Sequence, residues 1–436
     1  MRLLLLFAFL AAPLSAAPPN IVVIVADDMG WADVGYHGSP IPTPHIDALC
    51  ETGIELDRFY VAPMCTPTRA ALLTGRYWSR FGNTRPSNTR VLPWGTPTLA
   101  STLKAAGYQT AISGKWHLGS KLEWGPQKFG FDHSYGSLAG GVTPWTHLYK
   151  RGPYTKTWYR DDQFIEEKGH VTDLITEEAV RRIHEKPDDQ PLFLYVPYTA
   201  PHTPFDESDE YLKRVAHIPA DRRQYAASCT HMDEGVGRII QALEKTDQRD
   251  NTLVVFFSDN GGTKSDDSHN FPDTKPTTKT NGFNHPLRGW KKELYEGGIR
   301  VPACVNWPGN LAKAKLSAPL HATDWLPTIL AAAGVEAPSN IKYDGQNIWP
   351  ILTGKAAPSS IEDRLIYTKG IHQIDASLHY GDWKLIRSKS SPQLFHIRED
   401  PSEENDVSKS HPEQVKELIR LMDTEASKDN DALPSS

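Results

Sequence analysis

Cysteine is scarce. The 436-residue chain has four, Cys50, Cys65, Cys229 and Cys304, too few for a disulfide scaffold at this length. The fold must therefore rest on an apolar core, and the chain is long enough for one large domain and a smaller one beside it. Positive charge is not in excess: 47 Lys and Arg against 53 Asp and Glu give a net charge of −6. Neither nucleic acid nor an anionic membrane is thus an expected partner, and an anionic substrate would have to be drawn by a few local cations. No apolar run reaches the length of a bilayer span, so no membrane-spanning helix is expected. No internal repeat is present, which excludes repeat architectures.

What is present begins with Met1-Arg2, an apolar run from Leu3 to Leu14, and Ser15-Ala16-Ala17. One basic residue, a short apolar stretch and small residues predict a secretory signal over residues 1–17 and a secreted or periplasmic protein. No cysteine follows it, so a lipoprotein anchor is not expected. Three unbroken apolar runs, Ile21 to Ala26, Pro191 to Val196 and Leu253 to Phe257, have the character of strands buried on both faces. Helical spacing lies between them, over Thr98 to Ala106, Thr172 to Ile183 and Tyr225 to Leu243. Alternating strands and helices predict an α/β fold, a mainly parallel sheet covered on both sides. Residues 142–163 and 261–286 read as long loops of the functional kind. The character changes near Thr353-Gly354-Lys355. We therefore expect a catalytic domain over 18–358 and a C-terminal subdomain over 359–436. The latter would carry short antiparallel strands near 365–367, 383–386 and 394–396 and an amphipathic helix over 412–426.

The first apolar run ends in Asp27-Asp28 and the Leu253 run in Asp259-Asn260, followed by Gly261-Gly262. Either pair alone would read as a turn or a helix cap. Together, at the carboxyl ends of two buried strands where α/β proteins place their ligands, they form an all-oxygen donor set for a hard cation such as calcium or magnesium.

The sharpest feature is Cys65-Thr66-Pro67-Thr68-Arg69, continuing Ala70-Ala71-Leu72-Leu73-Thr74-Gly75-Arg76. It resembles the signature of the sulfatase family, in which the cysteine is oxidised to formylglycine (3-oxoalanine). The resemblance continues through Gly30 to Gly35, Thr43 to Asp47, Gly114 to Gly119, Asp259 to Gly262 and Glu296 to Arg300. It leans toward the arylsulfatase B (N-acetylgalactosamine-4-sulfatase) type and bacterial polysaccharide sulfatases. Thr68 is a modest departure, since serine is commoner there, but it keeps a small hydroxyl.

The resemblance implies an alkaline-phosphatase-like fold and hydrolysis of a sulfate ester on a carbohydrate or aryl group. It implies calcium held by Asp27, Asp28, Asp259, Asn260 and the modified Cys65, and maturation by a formylglycine-generating enzyme. The hydrated aldehyde would attack sulfur with one hydroxyl to give a covalent sulfate ester, and the other would later drive sulfate out. Lys115 and Lys291 would bind sulfate, with Lys292 as a rival to Lys291. His117 would assist the elimination, His202 would protonate the leaving group, and Arg69 would support the formylglycine hydroxyl from a helix whose N-terminus favours anions. Lys115 and His117 flank Trp116, so an extended segment would put them on one face. His321 and Asp324 are expected to cap a helix. Trp and Tyr residues between Pro144 and Tyr159 would either stack on sugars or pack the loop. Two other readings stand beside this one: a phosphodiesterase or phosphonate monoester hydrolase on the same scaffold, and an unmatured carbohydrate-binding pseudo-enzyme. Pairing among Cys50, Cys229 and Cys304 stays open, as does the oligomeric state.

Overall fold

Seven consecutive buried residues, Asn20–Ala26, form the central strand of the structure, a computed structural model that describes residues 17–274, 282–339, 341–372 and 374–433. The expected signal lies outside the described residues except for Ala17, as does part of the 261–286 loop. Side chains alternate across the strand: Ile21, Val23 and Val25 join one apolar cluster, and Val22, Ile24 and Ala26 the other. A strand covered on both faces has no polar face, hence the unbroken apolar run.

The sheet has ten strands, in the order Ala314–Leu316, Ile54–Leu56, Ala303–Asn306, Thr252–Ser258, Asn20–Ala26, Leu192–Pro197, Gln109–Lys115, His133–Ser137, Trp158–Arg160 and Gln163–Phe164. The centre is parallel. Ala303–Asn306 runs antiparallel to both neighbours, and a hairpin closes the far edge. Helices Val171–His184 and Arg223–Lys245 pack into one cluster, and Cys65–Thr74, Leu99–Ala105 and Trp325–Ala332 into the other. The mainly parallel, doubly covered sheet expected from the sequence is the one observed. Its register matters most: Ala26 aligns with Ser258, so Asp27-Asp28 and Asp259-Asn260 leave the sheet at the same level.

The C-terminal sheet contains the three expected strands, as Leu365–Lys369, Trp383–Arg387 and Gln393–His396. A fourth, Ala376–Tyr380, was not legible, because it buries the polar residues Ser377 and His379. The Pro412–Ala426 helix buries Leu418 and Met422. This sheet is tied to the preceding part of the chain by a buried ionic group. Glu296 accepts hydrogen bonds from Lys384 Nζ at 2.9 Å, His379 Nε2 at 3.0 Å and the Tyr60 hydroxyl at 3.0 Å. Lys384 also pairs with Glu403 at 2.8 Å, and Glu403 takes the Glu296 backbone N–H at 2.6 Å. Burial pushes both carboxyl groups up. Lys384 and His379 overcome that for Glu296, which lies well below the usual range, whereas Glu403 is raised to about 7.

A second clamp holds the segment after Leu192–Pro197. Glu207 accepts a hydrogen bond from His231 Nδ1 at 2.8 Å, and Asp173 faces His231 Nε2 at 3.4 Å. Tyr211 stacks on the His231 ring at 3.9 Å and His170 at 4.6 Å. Burial pushes His231 down, but Asp173 and Glu207 outweigh it and lift the imidazole to about 9. His170, Glu207 and His231 are metal-donor types within reach of one another. His170 Nδ1, however, accepts the Thr172 N–H, and both His231 nitrogens face carboxylates, so the group is an ion-pair clamp.

Replacing Lys384 with Met should cost about 3–5 kcal/mol, because it leaves two carboxyl groups buried without their cation; denaturant unfolding checks this. His231 titrates higher folded than its ordinary 6.5. Its stabilisation is therefore complete below about pH 6.5 and lost as pH rises through about 9. Melting temperatures of wild type and His231→Gln should accordingly converge between those pH values.

Candidate active site

The register of the two central strands brings three carboxylates together, and cations from three other elements balance them. Asp27, Asp28 and Asp259 are all buried. Lys115, the last residue of Gln109–Lys115, donates to Asp27 Oδ2 at 2.5 Å. Lys291 donates to both Asp28 oxygens, at 2.5 and 2.7 Å. Arg69 grips Asp259 Oδ2 through Nε at 3.1 Å and Nη2 at 2.7 Å, and its Nη1 donates to the Lys115 carbonyl at 2.8 Å. A two-pronged guanidinium bond both neutralises and aims its carboxylate.

Electrostatics divides the carboxylates. Burial raises Asp28, yet Lys291 and His202 outweigh it and hold it at about 2. For Asp259, burial and the neighbouring Asp27 win over Arg69, and the carboxyl rises to about 7.

Cys65 opens the helix Cys65–Thr74, every residue of which is buried, and its own exposure is 2 %. The donor atoms of Asp27, Cys65 and Asp259 lie within 4.8 Å of one another, as do those of Asp27, Asp28 and His202. Asp27 Oδ1 and Asn260 Oδ1 are buried and accept no hydrogen bond. Each such orphan costs about 1–3 kcal/mol, a cost that a ligand bound to these oxygens would relieve. Asn260 spends only its amide hydrogens, on Asp28 Oδ1 and the Gly261 carbonyl. This oxygen-only donor set, aimed inward, fits a hard divalent cation.

His117 Nδ1 lies 3.3 Å from Cys65 Sγ. Its backbone is left-handed, with φ 57°, so it arrives by a turn and not by the strand alternation with Lys115 that the sequence suggested. It fits only because residue 140 is glycine: a β-carbon there would fall 2.5 Å from the imidazole. Burial, then Lys115 and Arg69, push His117 well below its ordinary pKa, so the ring is neutral. His202 Nδ1 donates to the Thr203 carbonyl at 2.5 Å, which turns Nε2 inward to 3.7 Å from Asp28. Lys292, the rival to Lys291, is exposed and left-handed at φ 83°; its backbone N–H bonds the Pro63 carbonyl. Arg69, expected to support the formylglycine hydroxyl, makes its hydrogen bonds to Asp259 and the Lys115 carbonyl and lies close enough to Cys65 for the two groups to act on each other's charge.

Cys65, His117, His202 and Lys291 lie at the base of a cavity of about 500 Å³. Sequence reasoning missed part of its wall. Thr203 donates to Asp267 Oδ1 at 2.6 Å, Lys150 pairs with the other oxygen of Asp267, and exposed Arg85 lines the same cavity. The two long loops were the only signal for Lys150 and Asp267. His321 and Asp324, expected to cap the helix from Leu326, instead form a capping box on the short turn Ala322–Asp324 before it, with His321 N–H donating to Asp324 Oδ2 at 2.7 Å; Asp324 stands at the N-cap of Trp325–Ala332 without a side-chain bond to it and pairs with Arg364. All four cysteines are free, and Cys50 and Cys304 touch through their thiols.

The sulfatase family model matches residues 19–335, and one described as "N-sulphoglucosamine sulphohydrolase, C-terminal" matches 288–430. Arylsulfatase J of Mus musculus is 32% identical, over 94% of this chain and 76% of its own. N-acetylgalactosamine-6-sulfatase of Homo sapiens is 30% identical, over 93% and 84%. A crystal structure of Ps i-CgsB in complex with k-i-k-neocarrahexaose is 35% identical with a TM-score of 0.85, covering 95% of this chain and 94% of that one.

Proposed function

The chain belongs to the sulfatase family and is a sulfuric ester hydrolase, and from that premise we propose that it removes sulfate from a sulfated carbohydrate with formylglycine made from Cys65. The observation that carries this reading is the meeting of Cys65 Sγ with the Asp27 and Asp259 carboxylates within 4.8 Å, beside two orphaned buried oxygens.

In this reading Asp27, Asp28, Asp259 and Asn260, with the modified residue 65, hold calcium. Bound calcium supplies a fixed double charge that acidifies a nearby hydroxyl and offsets charge on sulfate. Formylglycine, as its hydrate, supplies a nucleophilic hydroxyl and a second one through which the enzyme is freed of sulfate. The remaining work falls to side chains already in place. Lys291 brings an ammonium group to the cavity floor, where the peripheral oxygens of a sulfate need it, and Lys115, wholly buried on Asp27, adds a second positive charge to the same cluster. Neutral His117, beside the residue 65 side chain, is placed to take a proton from it. His202 Nε2 faces inward to hand a proton to the leaving oxygen. Arg69 keeps Asp259 aimed.

Maturation by a formylglycine-generating enzyme completes the reading, with secretion or periplasmic location following from the leader. Among the described residues no helix is long and apolar enough to cross a membrane. The relatives named for N-acetylgalactosamine and for a neocarrahexaose complex support a sugar substrate. The lean toward a 4-sulfate gains no support from the curated relative named for that sugar, which is a 6-sulfatase.

Cys65→Ala should lower aryl sulfate turnover about 10³-fold or more, and the wild-type tryptic peptide containing residue 65 should be lighter than its thiol form. Near-normal turnover in the variant defeats the reading. Faster hydrolysis of an aryl phosphate diester than of the matching sulfate would move the assignment to phosphodiesterase. Removing divalent cations with EDTA should abolish activity and lower the melting temperature, with about 3 kcal/mol of stability restored by calcium at a hundredfold its Kd.

A further inference from the structure

A second cavity, of about 560 Å³, adjoins the catalytic one. The segment 143–150 separates them. Trp145 to Leu148 line the second cavity, whereas Tyr149 and Lys150 line the catalytic one. The segment is a closed turn, with Leu148 N–H donating to Thr143 Oγ1 at 2.9 Å and His147 N–H to the Thr143 carbonyl at 3.0 Å. The partition between the two spaces is therefore fixed by its own hydrogen bonds.

Two large aromatic side chains stand exposed there, Trp145 at 45% and Phe164 at 43%. Exposure of this size on a single ring is common; two such rings in one concave surface are less so. Trp145 is also held. Its indole N–H donates to the Asp206 carbonyl at 2.9 Å, and its ring meets the edge of His170 at 5.0 Å and 74°. The ring therefore loses little freedom when something stacks on its open face. Phe164 ends the edge hairpin of the sheet, whose turn is fixed by left-handed Asp161 at φ 54°. Around the rings stand Lys156, Glu166 and Lys168, with Lys156 paired to Glu166 at 3.4 Å at the surface. Flat apolar faces ringed by carboxylate acceptors and ammonium donors match a sugar ring, which has an apolar face and a rim of hydroxyls.

We infer that this groove is a sugar subsite of the same enzyme. It holds a unit of the polysaccharide chain removed from the one whose ester reacts, stacked on Trp145 and Phe164 with its hydroxyls toward Glu166. The inference rests on the carbohydrate reading above and extends it: the substrate is an oligomer or polymer, and the enzyme grips it at two places on either side of the 143–150 turn. The lining carries both lysines and carboxylates, so the bound unit need not itself be sulfated.

The test compares substrates by length. Wild type, Trp145→Ala, Trp145→Phe and Phe164→Ala are assayed on 4-nitrophenyl sulfate and on carrageenan and chondroitin sulfate oligosaccharides of two and of six or more sugars. Trp145→Ala should lower kcat/KM on the long oligosaccharides about tenfold, chiefly through KM. It should leave the disaccharides and the aryl sulfate unchanged. Trp145→Phe should recover most of the loss. Phe164→Ala, which disturbs no hydrogen bond of the turn, should repeat the pattern if Trp145→Ala folds poorly. Equal loss on every substrate would mean that Trp145 only braces the loop through Asp206, and no loss on the long oligosaccharides would mean that nothing stacks there. Either overturns the inference while leaving the sulfatase reading intact. Wild type that turns over the aryl sulfate but no oligosaccharide overturns the carbohydrate reading, and this inference with it.

Discussion

Three carboxylates, buried within a few ångströms of one another at the ends of two parallel strands, set the terms for everything else in this molecule. Burying such charges is affordable only when each is paired and hydrogen-bonded. The chain supplies one cation per carboxylate, each from a different element: Arg69 from the Cys65 helix, Lys115 from the strand two places along the sheet from Asn20–Ala26, and Lys291 from a loop. With His117 neutral and the Asp259 carboxyl raised to about 7, the three cations match or exceed the charge of the carboxylates. A divalent ion held there, as proposed, would leave the base of the cavity positive, the sign an anionic ester requires, in a chain whose net charge is −6.

Much of this was legible. The apolar runs announced the central strands because a strand buried on both faces has only one kind of sequence. The acidic pairs announced the ends of those strands. The Cys65 motif drew attention to a helix start that the structure places against both pairs. What escaped detection did so for physical reasons. His117 reaches Cys65 through a left-handed residue and the empty space over Gly140, and neither a turn of that kind nor the lack of a β-carbon across the chain leaves a local pattern. Lys150 and Asp267 belong to loops, where side-chain direction is not tied to spacing. His231, Glu207 and Asp173 lie on three separate elements, and only the fold joins them. The Ala376–Tyr380 strand buries serine and histidine, so its alternation is invisible to a hydrophobic count.

Two of the buried ionic groups outside the active site do related work. Glu296, in the segment just after Lys291 and Lys292, is held by Lys384 and His379 from the C-terminal sheet. Glu207, five residues after His202, is held by His231. Each clamp stands a short distance along the chain from a residue that faces the cavity. Loops that carry chemistry need such fixed points, since a loop has few packing contacts of its own to hold a side chain in place.

Residue 65 sits at the head of a wholly buried helix, with 2 % of its surface exposed at the base of the cavity. A large modifying enzyme cannot reach a side chain so enclosed, whatever its affinity for the motif. Any oxidation of that thiol by another protein is therefore confined to the interval between synthesis and collapse, and the speed of folding becomes a competitor of maturation. A cell that folds this chain faster, or carries too little of an oxidising enzyme, would accumulate folded molecules that keep the thiol at residue 65.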